Sequence, residues 1–135
     1  MIPEKLPWSI QENPLLSQWV DFSEPGIVRV FSAKVEIGQG IVTAIAQIAS
    51  AELRLPMSKV VVVSGDTRSC PNESYTAGSM SIEVGGTSVR MACAEARRAI
   101  VERAARMLDV DESRTTADGG FILMDGTPSG LDYWQ

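Results

Sequence analysis

The chain has 135 residues, 44% of them apolar, two cysteines, no histidine and a formal net charge of −5. That length suits one domain able to bury its own core, and an apolar fraction near the globular average argues against disorder. The acidic balance argues against a nucleic-acid binder, which carries a basic patch, and the missing histidine removes Ser-His-Asp, Cys-His and imidazole–metal chemistry from within the chain.

Residues 1–22 read as an irregular arm broken by Pro3, Pro7 and Pro14, with Trp8 and Trp19 as anchors that pack it onto something apolar. Ser23-Glu24-Pro25-Gly26 is a turn signal leading into the β-rich stretch Ile27–Ile37. Within it Ala33, Val35 and Ile37 alternate with Lys34 and Glu36, the period-two pattern of a half-buried strand. Gly38-Gln39-Gly40 ends the strand, and Ile41, Ile45, Ile48, Ala49 and Leu53 then fall on one helical face until Pro56 stops the run. Val60 to Val63 is wholly apolar and β-branched, which predicts a fully buried strand. Strand, helix and strand in about 40 residues predict a right-handed crossover joining a parallel pair.

A long polar loop occupies 64–79. The second helix follows, with an apolar stripe of Val89, Cys93, Ala96, Ile100, Ala104, Met107 and Leu108. Arg90, Arg97, Arg98, Glu102 and Arg106 lie outside the stripe, with Arg98–Glu102 and Glu102–Arg106 at helical spacing. They form a solvated face or a partner surface. This helix begins either after Gly85-Gly86 or near Ser79, in which case the two interior glycines imply a close neighbour. Phe121 to Met124 reads as a last strand, Asp125-Gly126 and Pro128 mark turns, and Gly130 to Gln135 reads as the start of a further element. The sum is an α+β two-layer sandwich, a mixed sheet with two main helices on one face, in a single domain over 1–135.

Two cysteines without a CxxC cannot supply the four thiolates of an iron–sulfur cluster. Reduced thiols are the plain reading, with Cys93 in the core and Cys70 in the polar loop. No apolar run approaches the ~20 residues of a membrane span. Met1 to Gln11 lacks the charged and apolar regions of a secretory signal, so the expected location is the cytoplasm.

Two segments could carry chemistry. Gly38-Gln39-Gly40 stands between a strand and a helix start. Its glycines allow close backbone approach, the helix start offers unpaired N–H groups and partial positive charge, and the Gln39 amide both donates and accepts. The same segment could be a tight turn with Gln39 in solvent. It is not a dinucleotide fingerprint, because Thr43 stands where the third glycine belongs. The second segment, Thr76-Ala77-Gly78-Ser79-Met80-Ser81, offers the hydroxyls of Thr76, Ser79 and Ser81, with space beside Ala77 and Gly78. It is an anion cradle or a helix cap. Gly65-Asp66-Thr67 is a turn or a pocket rim. Tyr75 and Tyr133 fit packing better than acid catalysis, and Glu36 and Glu83, which flank the glycine sites, fit exposed or capping positions.

Lys34 to Gln47, with its Gly38-Gln39-Gly40 core, resembles the glutamine-glycine segment of the xanthine dehydrogenase and aldehyde oxidase superfamily of molybdenum hydroxylases. Val62-Val63-Ser64-Gly65-Asp66-Thr67 and Gly78 to Gly86 continue the likeness in the same order, and Asn13 to Trp19 resembles the beginning of the isoquinoline 1-oxidoreductase branch. The resemblance runs over roughly 13–125. It implies molybdopterin as cofactor, often in its cytosine dinucleotide form. Gly38, Gln39 and Gly40 would lie near the metal's oxo ligand and the pterin. Thr76, Ala77, Gly78, Ser79 and Ser81 would hold pterin and phosphate. It implies no metal ligand from the chain's own side chains, and partners in the remaining domains of a molybdenum subunit and an iron–sulfur subunit. The superfamily's catalytic glutamate belongs to a Gly-x-Gly-Glu motif absent from these 135 residues, so no catalytic residue is assigned. A non-catalytic scaffold or cofactor-handling subunit, or a decayed inactive fragment, are the alternative readings. Self-association of the isolated chain is expected, through a sheet edge or the small residues beside Gly85 and Gly86.

Overall fold

The structure, a computed structural model, describes residues 18–32, 40–64 and 86–135. It is α+β as expected. The strands β1 (Val20–Asp21), β2 (Val28–Ser32) and β3 (Val60–Ser64) form a mixed sheet in the order β1-β2-β3. β1 runs antiparallel to β2, and β2 parallel to β3 in the register Val28↔Val60 to Ser32↔Ser64. The helix α1 (Ile41–Leu53) crosses between the parallel strands, and α2 (Thr87–Leu108) packs against it. The later strands β4 (Thr115–Asp118), β5 (Phe121–Met124) and β6 (Thr127–Asp132) do not extend that sheet. They form a second, antiparallel one.

Local chemistry explains the boundaries. α1 ends at Arg54, which takes a left-handed φ of 54° and donates its N–H to Ser50 O; the Ser50 hydroxyl donates to Leu55 O, and Pro56 follows. That satisfies carbonyls the last turn leaves open. α2 is described from Thr87, and Gly86 before it already has a helical backbone at φ −64° and ψ −42°; the residues over which the earlier start was expected lie outside the described ones. The connections Gly119-Gly120 and Asp125-Gly126 each place both residues at positive φ, the handedness that two-residue hairpin turns require.

Several expectations need correction. β3 is not fully buried: Val61 is 40% exposed, because it shares the sheet face of Arg29, opposite the face on which Val28, Val30 and Val60 enter the core. Met107 leaves the expected apolar stripe and is 53% exposed. Phe121–Met124 is the middle strand of its sheet, and Gly130 to Gln135 completes β6 and the turn after it. The arm expected to be irregular includes the short strand β1. The Ala33–Ile37 alternation and Trp8 lie outside the described residues.

The core joins Trp19, just before β1, and Val28 and Val30 of β2 with Ile45, Ala49 and Leu53 of α1, Val89, Cys93 and Ala96 of α2, and Ile122 of the second sheet. The second sheet is pinned to the lower end of α1. Tyr133 donates its hydroxyl to Leu53 O at 2.7 Å, Gly119 N donates to Arg54 O at 2.7 Å, and the Trp134 indole donates to Ile27 O at 2.9 Å. Lys59 Nζ lies 5.2 Å from the Phe121 ring centre and 5.8 Å from that of Trp134, within cation–π range. The last turns of α2 line a groove with Leu131 to Gln135 of the same region. Both helices therefore end toward the second sheet, and their first turns point the opposite way.

Candidate functional site

The end of the fold opposite the second sheet gathers the features that receive ligands in α/β units. β2 and β3 finish together there, with Ser32 and Ser64 as register partners. The chain leaves Ser32 for Gly40 and α1, and leaves Ser64 for Gly86 and α2. Ligands of such units sit outside the carboxyl ends of the strands, where loops and helix starts converge.

Gly40 is the one residue of the first expected site that the structure describes. It caps α1 at φ 80°, a left-handed conformation that favours glycine, and its carbonyl accepts from Ala44 N at 3.0 Å. A Cβ built there would meet nothing within 4 Å, so the space beside it is open. Gly40 has no side chain with which to cap the helix, and the first turn contains no acidic residue. The first turn's N–H groups have no intrahelical acceptor, and the helix dipole adds partial positive charge. An oxo or phosphate group fits such an end, and no carboxylate of that turn competes for it. Gly38 and Gln39 lie outside the described residues, as do Thr76, Ala77, Gly78, Ser79 and Ser81. Gly65-Asp66-Thr67, Cys70, Tyr75, Glu36 and Glu83 do too. At the start of α2, Gly86 and Ser88 are buried. Ser88 drew no attention in the sequence, where one serine in an apolar helical stripe carries no distinguishing signal.

The groups whose titration is clearly displaced lean away from acid–base or nucleophilic work. Burial, with the Glu52 charge as a smaller contribution, pushes the Cys93 thiol up to about 12, so it stays a thiol in the core. Burial likewise pushes the Tyr133 phenol up to about 12, the nearby Arg97 and Arg54 charges offsetting part of the effect. Tyr133 is a packing residue, as expected. The carboxyls of Glu95, Asp111 and Asp125 are lowered, chiefly by hydrogen bonds from Arg98, Ser113 and Arg114 respectively. They are fixed anions on the surface. Arg98 donates to Glu95 and also to Glu102, the latter at 3.1 Å and at the expected helical spacing.

A groove of about 340 Å³, unanticipated from the sequence, lies far from Gly40. Its walls include Phe22, Ile100, Ala104, Leu131, Tyr133 and Trp134. Among the described residues no helix is long and apolar enough to cross a membrane.

Comparison with known proteins gives the chain's family. The family model described as the molybdopterin cofactor-binding domain matches residues 7–133. A nicotinate dehydrogenase subunit of Pseudomonas putida is 34% identical over 115 residues, covering 80% of this chain and 10% of that protein. Human aldehyde oxidase is 33% identical over 99 residues, covering 69% of this chain and 7% of that protein. Reconstituted CO dehydrogenase from Oligotropha carboxidovorans superposes with a TM-score of 0.71 at 26% identity, over 86% of this chain and 14% of that one. The chain thus spans a tenth or less of the length of these curated relatives.

Proposed function

The chain belongs to the molybdopterin cofactor-binding domain family of the molybdenum hydroxylases, and from that premise we propose that it supplies part of the cofactor cradle of an oxidoreductase. Molybdopterin is the cofactor. The proposed reaction is hydroxylation of an aldehyde or an aromatic N-heterocycle, with the oxygen drawn from water. When bound, the cofactor brings the molybdenum that accepts the substrate's electrons.

The chain's own residues bind and orient. The first turn of α1, opened by Gly40, directs its N–H groups at an oxo or phosphate oxygen. Gly38 lets the backbone come close, and the Gln39 amide hydrogen-bonds beside the oxo ligand. Thr76, Ser79 and Ser81 donate hydroxyls to pterin and phosphate, and Ala77 and Gly78 leave room for them. The cytosine dinucleotide form is the proposed variant, as the family resemblance implies. No residue of this chain is assigned as the general base. Turnover therefore needs the remaining domains of a molybdenum subunit and an iron–sulfur subunit as electron acceptor, in the cytoplasm. Self-association of the isolated chain belongs to the same reading.

The observation that carries this proposal is the family match across residues 7–133; the start of α1, opened by a left-handed glycine and with no acidic residue in its first turn, supports it. The test is pterin content. The complex of the chain with its remaining domains is purified from cells that make the cofactor, then denatured, and the released pterin is oxidised to its fluorescent form and quantified. Gln39→Ala is expected to lower pterin content with an almost unchanged melting temperature. A parent complex that holds no pterin would overturn the proposal, and a variant that melts much lower yet keeps all its pterin would make Gln39 a structural residue.

A further inference from the structure

α1 is tied by directional bonds at the end away from Gly40. The last carbonyls of a helix have no partner within the helix. Here the second sheet supplies one: buried Tyr133 donates its hydroxyl to Leu53 O at 2.7 Å. Just beyond the helix, Gly119 N donates to Arg54 O at 2.7 Å, and the Arg54 guanidinium donates to Ala117 O at 3.4 Å. Tyr133 and Leu53 are 80 positions apart, so this is a tertiary tie and not the helix's own cap.

Packing alone constrains α1 less along its axis. Apolar burial is non-directional. α1 packs against α2, and Ala46, Ala49, Ala92 and Ala96 are among their buried residues. Ridges formed by side chains that small interlock shallowly, and packed helices respond to a change in their surroundings by small slides. A hydrogen bond to a terminal carbonyl resists such a slide directly. α1 has 13 residues, so as a hydrogen-bonded rod it is about 20 Å long. Whatever fixes its last carbonyls along the axis also fixes where its first turn stands.

We propose that Tyr133 is a positioning residue for the cofactor cradle: its hydroxyl, bound to Leu53 O, holds α1 along its axis and so sets where the first turn, opened by Gly40, meets an oxo or phosphate oxygen. It rests on the cofactor reading of that turn. The second sheet thereby acts on the cradle from the opposite end of the fold, through the length of one helix.

Two measurements test it, with Tyr133→Phe as the variant and Gly126→Ala as the comparison. Phenylalanine keeps the ring and removes only the donor. Gly126 lies in the β5–β6 turn at φ +79°, and an added Cβ meets nothing within 4 Å, so alanine there weakens the same sheet by backbone strain alone. A tie that served stability only would make the two variants alike at the far end of α1. In the isotope-labelled chain, the backbone amide resonances of residues 41–44 should shift in Tyr133→Phe and stay at the parent's positions in Gly126→Ala. In the pterin-loaded complex, held well below the melting temperature of either variant, pterin should leave Tyr133→Phe several-fold faster than the parent, and leave Gly126→Ala at the parent's rate. Circular dichroism verifies that both variants fold. Amide resonances of 41–44 that stay put in Tyr133→Phe, or that move equally in both variants, would overturn the positioning role whatever the pterin does; so would equal pterin loss from the two variants. A parent complex that holds no pterin would sink the cofactor reading whatever the amides do, so the two failures are distinguishable.

Discussion

Replacing Gly120 by alanine should loosen the joint between the two sheets. Gly120 sits in the β4–β5 turn at φ +92°, and a Cβ there would lie 3.0 Å from Leu55 Cδ2 and 3.3 Å from two ring carbons of Trp134. The left-handed backbone costs an L-residue roughly 1–2 kcal/mol. Leu55 is buried and the Trp134 indole is tied to Ile27 O, so neither can retreat freely, and overpacking at such a contact adds about 1 kcal/mol or more. The sum is about 2–3 kcal/mol. For a domain of this size each kcal/mol moves the melting temperature by about 3–5 °C, so the expected fall is roughly 6–15 °C. Gly126→Ala is the control. Its φ is +79° but nothing lies within 4 Å of the added carbon, so it bears the backbone cost alone. Thermal unfolding followed by tryptophan fluorescence measures both. If Gly120→Ala melts no lower than Gly126→Ala, the close packing of Leu55 and Trp134 on this turn is wrong.

Tyr133→Phe should cost about 1–2 kcal/mol, because Leu53 O at the end of α1 loses its 2.7 Å donor in a buried setting; chemical denaturation checks this. Stability should also decline as pH rises from about 9 to about 12. Cys93 and Tyr133 are raised from 9.0 and 10.0 to about 12, so across that window the unfolded chain has released protons the folded chain still holds. Tyr133→Phe should flatten the upper part of that profile, and an unchanged slope would count against burial as the cause. In a Cys70→Ser background, Cys93 should not react with a thiol reagent until the chain unfolds, since it is fully buried; fast labelling of the native chain would contradict its place in the core. The isolated chain should show no aldehyde or heterocycle oxidation with a dye acceptor, and turnover by it alone would place a general base among these residues.

Local pattern was enough wherever short-range physics decides the outcome. The spacing of Ile45, Ala49 and Leu53 defined α1 and its buried face, and Pro56 bounded it, because helical periodicity and a missing N–H act within a few residues. The same holds for the Asp125-Gly126 turn and for the Arg98–Glu102 pair. The Gly38-Gln39-Gly40 segment was legible as a candidate site from its glycines at a helix start, and of its residues the structure places Gly40, left-handed at the head of α1. Its assignment to molybdopterin came from resemblance, since glycines and an amide at a helix start suit many anions. Burial that depends on distant neighbours was not legible. Four consecutive valines look the same in a sheet covered on both faces as in one whose second face, shared with Arg29, leaves Val61 exposed. Thr115–Asp118 and Thr127–Asp132 have little strand character of their own and are strands because both pair with Phe121–Met124. The position of Met107 beside a groove was decided by the second sheet, whose closing residues Leu131 to Trp134 come into contact with α2 only after the chain has folded back across more than twenty residues. Periodicity is a property of neighbours along the chain, whereas exposure is set by whichever element packs alongside.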